Sequence, residues 1–398
     1  MSVLAGARVV LGVTGSIAAY KAAELASALT QSGAQVDVAL SRSAEQFVAP
    51  MTFEALTQRQ VVTADTPMTP EHRIAHVELG RAADVVVIAP ATATTIARLA
   101  LGLAEDAVTE IALVSAAPLV VAPAMEPGML AHPATQANLD ALQGRGVHVV
   151  PPDEGRLASG ATGQGRLPPT ETLVDAVRLV LGRSGPLAGR SIVVSAGGTR
   201  EFMDPVRYIG NRATGRQGVA LARAAVERGA DVRLVIGAAT VDPPYGVTTQ
   251  QVESAGAMLE ALQAATQDCD ALIMNAAVGD FRPAEQSAGK IKRRAGVPTV
   301  GLVENPSLLA ALSGDFVRVA FAAETDDHEA NARAKLHELE LDAVVVNDVA
   351  GDDRGFAAAT NAVTMLTRGG GRREVSLRSK AAVADAVLDL VQELIDAK

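Results

Sequence analysis

Twice in this chain a short apolar run ends in a glycine-bearing turn and opens into a segment of helical period. The first turn is Gly12-Val13-Thr14-Gly15-Ser16 and the second is Ala196-Gly197-Gly198-Thr199. The runs are continuously apolar, not alternating, as in strands of a parallel sheet buried on both faces. Around the first turn the pattern predicts strands at 7–15, 36–41, 84–90, 118–124 and 147–150, with helices at 16–32 and 92–103. Around the second it predicts strands at 191–195, 232–236, 271–276, 317–322 and 343–346. Between the sets, 151–169 is crowded with Gly and Pro and reads as a lid, 170–181 as a helix, and the stretch up to Arg190 as a boundary. The 398 residues therefore predict two tandem three-layer α/β domains, 1–190 and 191–398.

Composition narrows the function classes. A net charge of -10, 3% aromatic residues and no Trp argue against a base-stacking or polyanion-coating surface, so no nucleic-acid partner is expected. The single cysteine, Cys269, excludes a disulfide framework and a multi-cysteine zinc site. The opening residues form no signal peptide and no apolar stretch is long enough to span a bilayer, so a soluble, cytoplasmic protein is expected.

The residues at the strand ends carry the chemistry. At 12–16, free backbone N–H groups at a helix start suit a phosphate, although a tight turn capped by Ser16 accounts for the same pattern. Thr92, Thr94 and Thr95 follow another strand, where doubly wound sheets bind ligands; they serve equally as helix caps. His76 is a candidate for proton transfer near neutral pH, with His72 as the alternative. Residues 199–212 are too polar for a core strand and read as a binding loop, followed by a helix start at 214–216. Lys290, Lys292, Arg293 and Arg294 suit a phosphorylated substrate or form a solvated run. Asp280 either orients a ribose or metal, or caps a helix.

At these residues the sequence resembles, over essentially its whole length, the bacterial bifunctional phosphopantothenoylcysteine decarboxylase / phosphopantothenate-cysteine ligase family of coenzyme A biosynthesis. GVTGSIAAYK (12–21), HVEL (76–79), APATATTIAR (89–98) and PAM (123–125) occur in the family's order, followed by AGGTREFMDPVRYIGNRATGRQG, AAVGDFRP, KIK, NPS and FAAET. For the first half the resemblance implies a flavodoxin-like or Rossmann-like flavoprotein. It would hold FMN at Gly15, Ser16, Ile17, Ser41, Ala91, Thr92 and Ala93, with His76 as base or proton shuttle for thiol oxidation. Two positions depart from the family: Glu126 stands where most members place Asn against the substrate carboxylate, and Ser159 in the lid where a cysteine donates the final proton.

For the second half the resemblance implies a Rossmann-like ligase. CTP activates 4'-phosphopantothenate as an acyl cytidylate, with Mg2+, and L-cysteine then displaces CMP. Asn211 matches the residue tied to the acyl cytidylate and Lys290 the one that stabilises charge on the reacting phosphate. CTP contacts carry over to Met274, Asn275, Ala276, Asp280, Lys290, Val303, Glu304, Asn305, Pro306, Phe321 and Lys335; Glu304, Ser307 and Leu339 depart from the usual Lys, Asp and Lys. No residue identifies itself as a metal ligand. The resemblance also implies a homo-oligomer, a dodecamer of decarboxylase trimers with ligase domains paired. One alternative is a ligase whose flavin half is only structural or regulatory. Another is a nicotinamide dehydrogenase, which the missing GxGxxG disfavours.

Overall fold

The computed structural model describes residues 2–66, 75–292, 299–324, 328–348 and 358–398. The chain forms two compact units, 2–182 and 183–398. Segment 183–190, which the composition marks as the boundary, packs with the second unit: Leu187 is buried and its N–H donates to Arg228 O at 2.8 Å.

The first unit carries β1 (Arg8–Val13), β2 (Gln35–Leu40), β3 (Val85–Ala91), β4 (Leu119–Pro123) and β5 (His148–Val149) in one parallel sheet of order β2-β1-β3-β4-β5. This is the flavodoxin-like order, with its reversal between β1 and β3. β3 is buried at every position, as its unbroken apolar run requires. The Gly/Pro-rich segment forms an antiparallel hairpin of β6 (Asp153–Arg156) and β7 (Thr162–Arg166). Its glycines mask the alternation that would have marked strands.

In the second unit the strands are β8 (Ser191–Ala196), β9 (Arg200–Phe202), β10 (Tyr208–Gly210), β11 (Asp231–Ile236), β12 (Thr248–Gln251), β13 (Ala271–Met274), β14 (Phe281–Pro283), β15 (Leu302–Glu304), β16 (Val317–Glu324), β17 (Ala343–Asp348), β18 (Thr360–Thr367) and β19 (Arg372–Ser379). The main sheet runs β12-β11-β8-β13-β16-β17-β18-β19, and its first six strands are parallel. Counted along the chain, those six follow the 3-2-1-4-5-6 Rossmann order, reversing between β8 and β13. β18 and β19 extend the sheet antiparallel. Residues 199–212 form a small ribbon of β9 and β10, and β14 pairs with β15.

Among the described residues, no helix is long and apolar enough to cross a membrane. Cys269 precedes β13, packs against the core and points its Sγ at Thr266 O, 3.7 Å away. Burial pushes its thiol pKa up to about 12, overriding the lowering effect of Arg233. Because the folded state holds the proton more tightly, Cys269 costs stability as pH rises above the ordinary thiol range. At pH 8.5 iodoacetamide should alkylate the native chain about a hundredfold or more slowly than the urea-unfolded chain, because the thiolate is the nucleophile. Equal rates by mass spectrometry would contradict this burial.

Candidate active sites

In the first unit, the reversal between β1 and β3 sets the site. Chains leaving the two strand ends diverge to opposite faces, and buried Thr14 ties the ends together. Its Oγ1 donates to Pro90 O at 2.7 Å and accepts from Thr92 N at 3.1 Å. Losing such a buried bond costs about 1–3 kcal/mol. The turn presses against the end of β2: a Cβ on Gly15 would lie 2.3 Å from Ser43 Cβ, and Ser41 N–H donates to Val13 O at 3.0 Å. A side chain at position 15 would thus collide with Ser43, so glycine lets the turn lie this close to the end of β2, with Ser16 beside it lining open space. Ser16 Oγ, three residues before the helix Ala19–Gln31, accepts from Ala18 N at 3.2 Å, while Thr92 caps the helix Ala93–Leu101. The capping reading is thus realised at Thr92 but not at Ser16, whose hydroxyl closes a turn ahead of a helix capped by Ala18.

A cavity of about 460 Å3 opens beside this turn. Ser16, Ile17, Glu126 and Ser159 line it, and three cations join them: Lys21, Arg156 and Arg166. Ile17 and Tyr20 expose 61% and 62% of their surface there, an apolar face suited to a flat ring system. The hairpin of β6 and β7 forms the opposite wall. Its register against the 124–126 loop is set by contact: Met125 N–H donates to Gly165 O at 3.0 Å, and a Cβ on Gly165 would lie 2.1 Å from Met125 O. Ser159 sits exposed at the hairpin turn, its Oγ accepting from Ala161 N at 3.3 Å.

His76 does not line this cavity. It stands on the helix Ala75–Ala82, with Nδ1 3.1 Å from Glu110 Oε2 on the helix Ala107–Val114. His72, Arg293 and Arg294 lie outside the described residues.

In the second unit, the turns beyond β8 and β13 interlock. Ala277 N–H donates to Gly197 O at 2.8 Å and Thr199 N–H to Ala277 O at 3.2 Å. Buried Ser195 Oγ accepts from Asn275 N and Ala276 N, both at 3.1 Å. Asn211, just beyond β10, reaches the same point and donates from Nδ2 to Ala277 O at 2.9 Å. Asp280 caps no helix, because β14 follows it; its carbonyl accepts from Asn305 N at 2.8 Å. Arg282 donates to Glu304 O at 2.8 Å, so the backbone at 304 is engaged whatever its side chain.

Asn275 and Phe321 line a small cavity with Arg216, Gln217, Asn347 and Lys380. Lys335, on the helix His328–Glu338, does not line it. The residues that sequence reasoning missed here are Ser195, Gln217, Asn347 and Lys380. Gln217 Oε1 and Asn347 Oδ1 are buried without a hydrogen-bond partner. Burial, then the charge of Arg216, hold the Lys380 pKa below the ordinary lysine range. A lysine opening an amphipathic helix resembles any surface lysine in sequence, which is why it gave no signal. Among the described residues, no cluster of three His, Cys, Asp or Glu side chains could hold a metal ion.

Comparison with known proteins follows the same division. The flavoprotein family model matches residues 2–182, and the model for the C-terminal domain of the DNA/pantothenate metabolism flavoproteins matches 187–395. The chain is similar to the coenzyme A biosynthesis bifunctional protein CoaBC of Vibrio vulnificus, 39% identical and covering 99% of this chain and 100% of that one. It is 42% identical to the CoaBC protein of Mycobacterium bovis over 96% of both chains. It is 40% identical to that of Bacillus subtilis over 97% of this chain and 96% of that one.

Replacing Gly165 with Ala should drive the hairpin off the 124–126 loop. Limited proteolysis is expected to cut Gly165→Ala within 156–166 faster than the parent chain, and an unchanged rate would show that the close approach does not hold the hairpin.

Proposed function

Because the chain belongs to the CoaBC family, the bifunctional decarboxylase-ligases of coenzyme A biosynthesis, we propose that its two strand-order reversals are the two active sites of that pathway step. The observation that carries this reading is that each reversal gathers residues from separate segments carrying the resemblance. Ser16, Ile17 and Glu126 meet at the first reversal, and Asn211, Asn275 and Ala276 at the second.

In the second unit, a carboxylate oxygen of 4'-phosphopantothenate attacks the α-phosphorus of CTP and pyrophosphate leaves. The cysteine amine then attacks the acyl carbon, losing a proton, and CMP leaves. Activation is needed because a carboxylate is a poor acyl donor. Lys290 stabilises the charge that grows on the reacting phosphate, and Asn211 holds the acyl cytidylate. Met274, Asn275, Ala276, Asp280, Val303, Glu304, Asn305, Pro306, Phe321 and Lys335 contact the nucleotide. Mg2+ enters with the triphosphate.

In the first unit, FMN would be held at its phosphate by Gly15, Ser16 and Ser41 and at its ring by Ile17, Ala91, Thr92 and Ala93. When bound, the flavin supplies a reversible two-electron oxidation that turns the thiol into a thiocarbonyl, giving the departing carboxylate's electrons somewhere to go. The resemblance assigns the thiol proton to His76, which stands outside this cavity in its own chain. Glu126 stands where the substrate carboxylate would arrive, and Lys21, Arg156 and Arg166 in the same cavity offset that repulsion. Ser159, at the hairpin turn, is the positional candidate for returning a proton. The product of the second unit is the substrate of the first, in a soluble, cytoplasmic homo-oligomer.

Two variants test the division of labour. Lys290→Gln should abolish pyrophosphate release yet decarboxylate supplied phosphopantothenoylcysteine, and His76→Gln should do the reverse. Normal pyrophosphate release by Lys290→Gln, or normal decarboxylation by His76→Gln, would refute the corresponding assignment.

A further inference from the structure

Lys290 is exposed and sits in a segment with little regular structure, which raises the question of what aims it. The neighbouring residue is held at two points. Ile291 N–H donates to Asp204 Oδ2 at 3.1 Å, and Ile291 O accepts from the Arg207 guanidinium. Asp204 is fully buried, and its other contacts are all local. Oδ1 accepts from Val206 N and Arg207 N, both at 2.8 Å. Oδ2 accepts from Arg207 Nε at 3.0 Å, with Arg207 Nη2 2.9 Å away. A third tie, Ser287 N–H to Met203 O at 2.9 Å, fixes the same two segments one turn earlier.

The 203–207 turn joins β9 to β10, and Asn211 follows β10 directly. A buried carboxylate accepting four N–H bonds is strongly held, because leaving any of them unmade in a dry site is costly. Asp204 therefore links the ribbon that delivers Asn211 to the segment that carries Lys290. We infer that Asp204 is a positioning residue for the ligase reaction, aiming Lys290 and Asn211 as one unit while touching neither substrate nor nucleotide. The inference rests on the role proposed for Lys290.

The chemistry of an amide isolates this function. In Asp204→Asn the side chain keeps its volume, and Oδ1 still accepts from Val206 and Arg207, so the local turn survives. The new NH2 cannot accept from Ile291 N and confronts the donors of Arg207, so the long-range tie is lost. Misplacing a catalytic group by about 1 Å costs on the order of a hundredfold in rate.

With the full-length, flavin-loaded chain, pyrophosphate release by Asp204→Asn should fall in kcat by about tenfold to a hundredfold, with KM for CTP within about threefold of the parent. Decarboxylation of supplied phosphopantothenoylcysteine should be unchanged. Hydrogen exchange read by mass spectrometry should show segment 287–292 exchanging faster in the variant while β8 stays protected. Parent-like pyrophosphate release by Asp204→Asn would overturn the inference, as would an Ile291 amide in the parent chain that exchanges as fast as free peptide. The second result needs no variant and stands if Asp204→Asn does not fold. If Lys290→Gln instead releases pyrophosphate normally, it is the role of Lys290 that fails. If Lys290→Gln is inactive and Asp204→Asn is not, only the positioning role fails.

Discussion

A parallel sheet whose crossovers leave its first strand in opposite directions must open a crevice at that strand's carboxyl end, because the flanking helices diverge to opposite faces. Both units meet this constraint, and the polar chemistry of each is arranged to satisfy it. At β1 and β3 the free backbone groups are bridged by a single hydroxyl, that of Thr14. At β8 and β13 the Gly197, Thr199, Asn275 and Ala277 backbones are laced together with Ser195. These bonds stabilise the crevices and leave inward-facing groups, such as Asn211 Nδ2, at fixed positions.

The sheets were legible in the sequence because their strands are buried on both faces. Unbroken runs such as VVVIAPA and SIVVSA can hardly be anything else at that length, and the observed strands match those expected to within a few residues. Edge and ribbon strands were not legible, for a physical reason. β12 (TTQQ) and β19 (RREVSLRS) are largely exposed, so burial imposes little pattern on them, and β6 and β7 are rich in glycine. The antiparallel extension through β18 and β19 was therefore missed, although β18 does alternate between more and less buried positions.

Site residues divide the same way. The glycine turn at 12–16 was readable from its place at a strand end, and the close approach of Ser43 accounts for Gly15. Side chains acting through distant partners were not readable. Asp204 and Ile291 are 87 residues apart, and neither has a local pattern that announces the other. Likewise nothing near Glu126 in sequence identifies the cations that share its cavity, because Lys21, Arg156 and Arg166 arrive from the first helix and the hairpin.

The central claim is that one chain runs two consecutive reactions, the second on the product of the first. The direct measurement is the mass of what accumulates when the FMN-loaded protein receives CTP, Mg2+, 4'-phosphopantothenate and L-cysteine together. The account predicts 4'-phosphopantetheine, the ligated product less carbon dioxide. Accumulated phosphopantothenoylcysteine would leave the ligase standing and contradict the claim for the flavin half. Unligated 4'-phosphopantothenate would contradict the ligase half, with which the sequence of reactions begins.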